Sequence, residues 1–440
     1  MKSLAVKILL AVTVLILLAL TLMPKVIGAG IERATIDNML ALIPPEAESQ
    51  FEIHRNEFSD GWFSSSTTIE FIYTPIGTDA ISLTMDFDID HGPLLQTDDG
   101  LRIGLAYAVI QPSIRNDLFD IAIAELSFPL PDITLNILAR FDQSIWVNMN
   151  VSALNFSDAA GEFNFSGLDA NVDVASDQSA YFSIQMGELS ATENAANSNV
   201  LISGMTVTSS TAQMNDILAE SRATLTIPAV SSTLPLPFSV LGIDIDYLLQ
   251  ASSTKNNFSE LNQTIHVASI ESEIPVSSFS WLTEVKQVNN DLLHGYYRLL
   301  SELQNKINSG AETAPADFTE LGQGLYLLVI QNPLELNNQI EANSYDGDHS
   351  AELRALWMGL SALSTAEELN INAAIAALNM TLDISLDLES ILRSPLAGVI
   401  EPYVQQGYLT IANGRILIEA SLQDSVLRVN GDELPLGQFF

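Results

Sequence analysis

FEIHRNEFSDGWFSSSTTIEF (51–71) and ISLTMDFDIDHGP (81–93) are the stretches that decide how this chain folds. In the second, Ile81, Leu83, Met85, Phe87 and Ile89 alternate with Ser82, Thr84, Asp86, Asp88 and Asp90, the period of a strand with one dry and one wet face. His91-Gly92-Pro93 then ends the strand, because glycine permits an unusual backbone turn and proline has no N–H to give to a ladder. The first stretch reads as a turn carrying Phe58, Gly61, Trp62 and Phe63, followed by a strand that opens with Ser64 and Ser65. Trp62-Phe63 is expected to be a core anchor, with an exposed aromatic contact for a partner as the alternative.

Working outward, the period stays at two as far as Ile274. Leu101, Ile103, Leu105, Tyr107 and Val109 alternate with smaller residues, and so do Ile145, Val147, Met149 and Val151, then Phe182, Ile184 and Met186. Short strands joined by Asn, Asp, Ser and Gly predict an antiparallel sheet with one buried face. Phe165-Ser-Gly-Leu-Asp-Ala-Asn-Val172 is echoed by Ile202-Ser-Gly-Met-Thr-Val-Thr-Ser209, as if similar hairpins were added in succession.

After Pro275 the spacing of Val285, Val288, Leu292, Tyr296, Leu299 and Leu303 changes to three and four, which predicts a helix over 281–308. Further helices are expected over 317–331 and 390–406, the latter trimmed by Pro395 and Pro402. Between them strands return. Tyr345-Asp346-Gly347-Asp348 marks a hairpin, Leu378 to Leu388 alternates cleanly, and Asn413-Gly414 and Asn430-Gly431 are turn pairs near the end. The expected fold is α+β and predominantly β, an extended and largely antiparallel sheet with a late helical interval. The expected divisions are 1–30, 31–274 and 275–440.

Composition narrows the function. Lys and Arg total 17 against 54 Asp and Glu, and no lysine lies between Lys25 and Lys255. Such a surface repels phosphate, so nucleic acid and adhesion to anionic headgroups are excluded as partners. There is no cysteine, hence no disulfide, thiolate metal site or cysteine nucleophile. Lys2 and Lys7 precede an uncharged, mostly aliphatic run from Ile8 to Met23, an export signal near the length of a membrane span. We expect segment 1–30 to be an uncleaved anchor, the bulk of the chain to lie outside the cytoplasm, and 31–49 to form a short amphipathic helix.

Chemistry-bearing patterns are sparse. Asp86, Asp88 and Asp90 have the spacing of a calcium loop's first ligands, but His91 and Thr97 stand where glycine and glutamate are needed. The apolar residues between the aspartates mark a strand instead. His91 with Asp90 and one of Ser64 to Ser66 could make a hydrolytic triad, yet there is no Gly-x-Ser-x-Gly elbow. His54, His91, His266, His294 and His349 show no pairing at metal-ligand spacing, and Gly322-Gln-Gly324 follows no strand and so is no nucleotide loop. The reading therefore names no catalytic residue, no cofactor and no metal.

The anchor, the Phe58-x-x-Gly61-x-Phe63-Ser64-Ser65 turn, Asp90-His91-Gly92-Pro93-Leu94, and the terminal pattern from Ala412-Asn413-Gly414 through Val429-Asn430-Gly431 to Leu436 together resemble the YdgA-like family of uncharacterised bacterial envelope proteins. Members often carry an arginine before the first glycine of the turn, where this chain has Asp60. The resemblance implies a single-pass inner-membrane protein with a large periplasmic region and no known activity. In plan, one anchor followed by many amphipathic strands, the chain is also similar to AsmA-like proteins associated with lipid movement. A long sheet must cover its apolar face with helices, with a second sheet, or with something outside the chain. Two functions are expected from that: binding or conveying a lipid or other hydrophobic molecule, or alternatively structural assembly through contacts with envelope proteins.

Overall fold

The structure is a computed structural model that describes Met23, Lys25 and residues 51–55, 58–74, 81–98, 100–115, 131–157, 159, 161–194, 198–233, 237–308, 319, 322–324, 330–360, 371–398, 400–405 and 408–434. The anchor expected over 1–30 and the helix expected over 31–49 lie outside these residues, except for helical Met23 and Lys25. Among the described residues no helix is long and apolar enough to cross a membrane. The fold is predominantly β: the described residues form one antiparallel sheet of 25 strands and one two-stranded hairpin.

The sheet begins with β1 (Phe51–Arg55), β2 (Ser59–Asp60), β3 (Ser64–Tyr73), β4 (Ile81–His91) and β7 (Ala106–Arg115). β1 and β2 both pair with β3, which pairs with β4, which pairs with β7. Ile69, Met85, Phe87, Ile89, Ala106, Ala108 and Ile110 meet on one face as a buried cluster, backed by Ile53, Phe71 and Leu135. Between β4 and β7 the chain leaves the sheet as a separate hairpin, β5 (Leu94–Thr97) and β6 (Gly100–Ile103). The alternation over 101–109 is thus not one strand. Leu101 and Ile103 are exposed on the hairpin, while Tyr107 points to the other face and is buried with Leu95 and Leu138 beneath it. Hydrophobic alternation continued across a point where the chain changes sheets.

The middle is a meander of broken strands: β8 (Ile133–Ala139), β9 (Ile145–Val151), β10 (Leu154–Ser157), β11 (Gly161–Phe165), β12 (Leu168–Val174), β13 (Ala180–Met186), β14 (Leu189–Glu193), β15 (Ser198–Ile202) and β16 (Met205–Thr211). The breaks fall side by side, since Gly187 N donates to Gly167 O (2.8 Å) and Ser166 N to Glu188 O (2.8 Å). A crease therefore crosses the sheet. Gly167 and Gly204, the glycines of the two echoed Ser-Gly pairs, sit on it with φ of +98° and +114°, a conformation that side-chain-bearing residues rarely adopt. The sequence echo is this crease, met once in each of two equivalent strands.

The β8–β9 and β12–β13 turns share the residues Asp-Gln-Ser. Asp142 accepts from the Ser144 hydroxyl (2.7 Å) and backbone N–H (3.0 Å), and Asp177 does the same with Ser179 (2.7 and 3.0 Å). Those bonds, the hydroxyl first, hold both carboxyls below the ordinary aspartate range. A lowered folded-state pKa contributes stability that is present above the unfolded value near 4 and is lost as pH falls through the folded value. NMR titration is expected to place both carboxyls below the ordinary aspartate value, and Ser144→Ala to return Asp142 toward it.

The second half is built of long strands: β17 (Ser221–Ser232), β18 (Phe238–Ala251), β19 (Phe258–Glu271), β20 (Val276–Asn289), β21 (Leu334–Ser344), β22 (Gly347–Trp357) and β23 (Leu378–Asp387). β19 and β20 pair across position 275, so a single sheet crosses it. Residues 281–289 are strand rather than the start of a helix; the helix is α1 (Asn290–Asn308). Val285 and Val288 fit either period, and pairing with β19 and β21 holds them extended. Of 317–331, Thr319, Gly322, Gln323, Gly324 and Ile330 are helical, Gln331 is a bend, and the others lie outside the described residues. The helix expected over 390–406 is two short ones, α3 (Leu388–Arg393) and α4 (Ile400–Gln405), interrupted at Ser394, before Pro395, and preceded by α2 (Ile371–Ala377). The sheet closes with β24 (Thr410–Ala412), β25 (Arg415–Gln423), β26 (Val426–Val429) and β27 (Asp432–Leu434), joined by turns with positive φ at Asn413-Gly414 and Asn430-Gly431.

Candidate functional site

Strand register converts the alternation into a surface. From β4 onward, Phe87 pairs with Ile110, Leu135, Met149, Ala170, Ile184 and Val207 in turn. The row continues without interruption through Leu225, Ile245, Ile265, Trp281, Ile340, Ala351, Ile384 and Ile418 on β25. One apolar residue from each of fifteen successive strands stands in line. At about 4.8 Å per strand the row is roughly 65 Å long. A parallel row, Ile227, Ile243, Val267, Phe279 and Ala342, flanks it.

Its two ends differ. Phe87 and Ile110 are buried in the cluster described above, whereas from Met149 onward the row is only half-buried, with Trp281 40% and Ile340 36% exposed. The main contacts of the described helices with the sheet are those of α1 with β20 and of the C-terminal helices with β22 and β23. His294 of α1 reaches toward Asp216, in the β16–β17 connection, at 3.7 Å, so the helix lies along one border of the face. There burial, and then the neighbouring Tyr297, push the Tyr247 phenol above its ordinary pKa.

The opposite face is polar. The adjacent row reads Asn136, Asn148, Asn171, Ser183, Thr208, Thr224, Asp246 and Thr264, and after Leu282 resumes with Gln339, Glu352, Asp383 and Glu419. The acidic residues of this row, Asp246, Glu352, Asp383 and Glu419, thus lie on the side of the sheet opposite the apolar row.

The motif residues fall into two groups at opposite ends of the sheet. Phe58, Gly61, Trp62, Phe63, Ser64, Ser65, Asp90, His91, Gly92 and Pro93 surround the β2–β3 turn: Gly61 N donates to Ser64 O (2.9 Å), His91 N to Phe63 O (2.8 Å), and Ser64 pairs with Asp90. Asn413, Gly414, Asn430 and Gly431 turn the last hairpins, far along the strand order. Trp62 and Phe63 are 49% and 56% exposed, so the expectation that they anchor the core is overturned; their turn projects past the end of the β3–β4 ladder. Asp86, Asp88 and Asp90 lie exposed along one strand face, with Thr68 donating to Asp86 (2.6 Å), and are not gathered around a point. Among the described residues no group of His, Asp and Glu side chains is placed to hold a metal ion.

The sequence model described as "Bacterial protein of unknown function (DUF945)" matches residues 1–437. The chain belongs to that family. No curated protein and no solved structure matches it.

In this DUF945 chain two Ser–His pairs invite comparison with a hydrolytic dyad. His91 Nε2 lies 3.0 Å from Ser65 Oγ, but both residues are buried, Asp90 faces the opposite side, and His91 Nδ1 has no partner to orient it. His349 Nε2 lies 3.0 Å from Ser390 Oγ, and here Asp387 N–H points at Nδ1 (3.4 Å). Nδ1 therefore accepts and Nε2 carries the proton, which it gives to Ser390 or to Ser344 O. An imidazole in that tautomer cannot deprotonate the serine, whose own hydroxyl donates to Asp387 O (3.2 Å). The pair fastens α3 to β22. What reading by alternation missed is the continuity of the rows; counting register outward from the Asp-Gln-Ser and Asn-Gly turns would have found part of it.

Proposed function

We propose that this chain is a non-catalytic protein that binds acyl chains and conveys lipid along the apolar face of its sheet, held at a bacterial inner membrane by its N-terminal aliphatic run with the sheet in the periplasm. The observation that carries the reading is the uninterrupted apolar row from Met149 to Ile418, partly exposed along its length and most exposed at Trp281 and Ile340. An exposed apolar surface of that size in water needs an occupant. Its length is several times the roughly 15 Å that acyl chains occupy in one leaflet, which suits passage better than a single pocket. The crowd of carboxylates on the opposite face keeps such a molecule soluble and directs apolar ligands to one side only. A second reading, assembly with envelope proteins, is favoured by exposed Trp62 and Phe63 beside the short edge strand β2.

The test is native mass spectrometry of the purified full chain with organic extraction of what it carries. Stoichiometric acyl lipids, reduced at least tenfold in Ile245→Asp/Ile265→Asp at unchanged fold, support the reading. A protein that stays free of lipid after incubation with phosphatidylethanolamine and phosphatidylglycerol vesicles refutes it and turns attention to Trp62 and Phe63.

A further inference from the structure

Beneath the β5–β6 hairpin, on the polar side of the sheet, lies a cavity of about 930 Å³, within the range of small-molecule sites. Its floor is a grid built by register. Thr134, Asn136 and Leu138 of β8 stand opposite Asn150, Asn148 and Trp146 of β9, which stand opposite Asp169, Asn171 and Asp173 of β12. Asn148 Nδ2 donates to Asp169 Oδ2 (3.0 Å) and Asn171 Oδ1 (3.1 Å), and Asn136 Nδ2 to Asp98 Oδ2 (3.2 Å) in the hairpin loop. These bonds orient the amides.

Asn136 lines this space and is 7% exposed, and its Oδ1 is buried without a hydrogen-bond partner among the described residues. Asn150 makes no side-chain hydrogen bond with the described residues and faces the opening. Trp146 packs beside Leu138 and Tyr107, offering an aromatic surface at one edge of the amides. The cavity's own charges are Asp98 and Asp169 against Arg102 and Arg140, and Arg140 is already held by both oxygens of Asp173 (3.1 and 3.2 Å). Nothing is left over to attract an anion.

We propose that this cavity binds a neutral oligosaccharide. Planar amides and carboxylates at about 4.8 Å intervals supply both donors and acceptors to the hydroxyls of a pyranose. The indole receives the ring's apolar face. The site lies on the opposite side of the sheet from the apolar row and does not depend on it.

The full chain, purified in a detergent without a sugar headgroup, is titrated with maltotetraose, cellotetraose and tetra-N-acetylchitotetraose, following tryptophan fluorescence and calorimetry. At least one is expected to saturate with a Kd of about 0.1–10 mM. Trp146→Phe should abolish the fluorescence change, and Asn148→Ala/Asn150→Ala should weaken binding at least tenfold at unchanged melting temperature. Should the double variant fail to fold, Asn150→Ala alone, at an exposed residue, is expected to weaken binding at least threefold. Absence of saturation with all three sugars up to about 20 mM, or binding unaltered by the asparagine variants, overturns the proposal.

Discussion

Gly92→Ala is expected to abolish the native fold, with a loss of about 4 kcal/mol or more. A Cβ on Gly92 would stand 1.8 Å from Gly104 O and 3.0 Å from Leu105 O, both backbone atoms that cannot swing aside. Those atoms mark where the chain leaves β4 for the β5–β6 hairpin and returns: Gly92 N donates to Leu105 O (2.7 Å) and Gly104 N to Pro93 O (3.2 Å). Forcing them apart would lift the hairpin from Tyr107, Leu95 and Leu138 and expose that cluster. Soluble yield and thermal unfolding report the effect. A folded Gly92→Ala protein with an unchanged melting temperature would show that the close approach is not real.

The second large effect is a contrast. Ile110 and Ile245 occupy the same row, one 0% exposed in the first cluster and the other half-buried on the open part. Truncating a fully packed isoleucine removes its transfer energy and leaves a cavity, so Ile110→Ala should cost about 3–4 kcal/mol. Ile245 is only partly buried, so Ile245→Ala removes less buried apolar surface and should cost about 1 kcal/mol. Denaturant unfolding of the lipid-free protein measures both. Equal losses would mean that the face at Ile245 is covered like a core.

Ile81 to Ile89 shows how much of this was legible: alternation identified the strand, its dry face and its end at His91-Gly92-Pro93. The Asn-Gly pairs likewise marked their turns, because only residues tolerant of positive φ serve there. Val285 and Val288 misled because a strand runs straight into a helix at Asn290, and apolar residues around such a junction satisfy both periods. Tyr107 misled because the second cluster depends on a hairpin folding back across the sheet, which no local pattern encodes. The asparagine grid was invisible for a related reason. Asn136, Asn148 and Asn171 are ordinary wet-face residues in sequence and become neighbours only through the pairing of β8, β9 and β12. Trp62 and Phe63 carry the residue types of a core anchor, and only their place beyond the ladder's end exposes them.

Site-specific photo-crosslinking in cells tests whether lipid travels on one face of the sheet. Benzoylphenylalanine at Ile245 or Ile384 stands on the apolar row, and at Asp246 or Asp383 it stands one residue along on the polar face. The account predicts acyl-lipid adducts from the first pair and none from the second. Equal lipid labelling from both faces, or adducts only with other proteins, would contradict it.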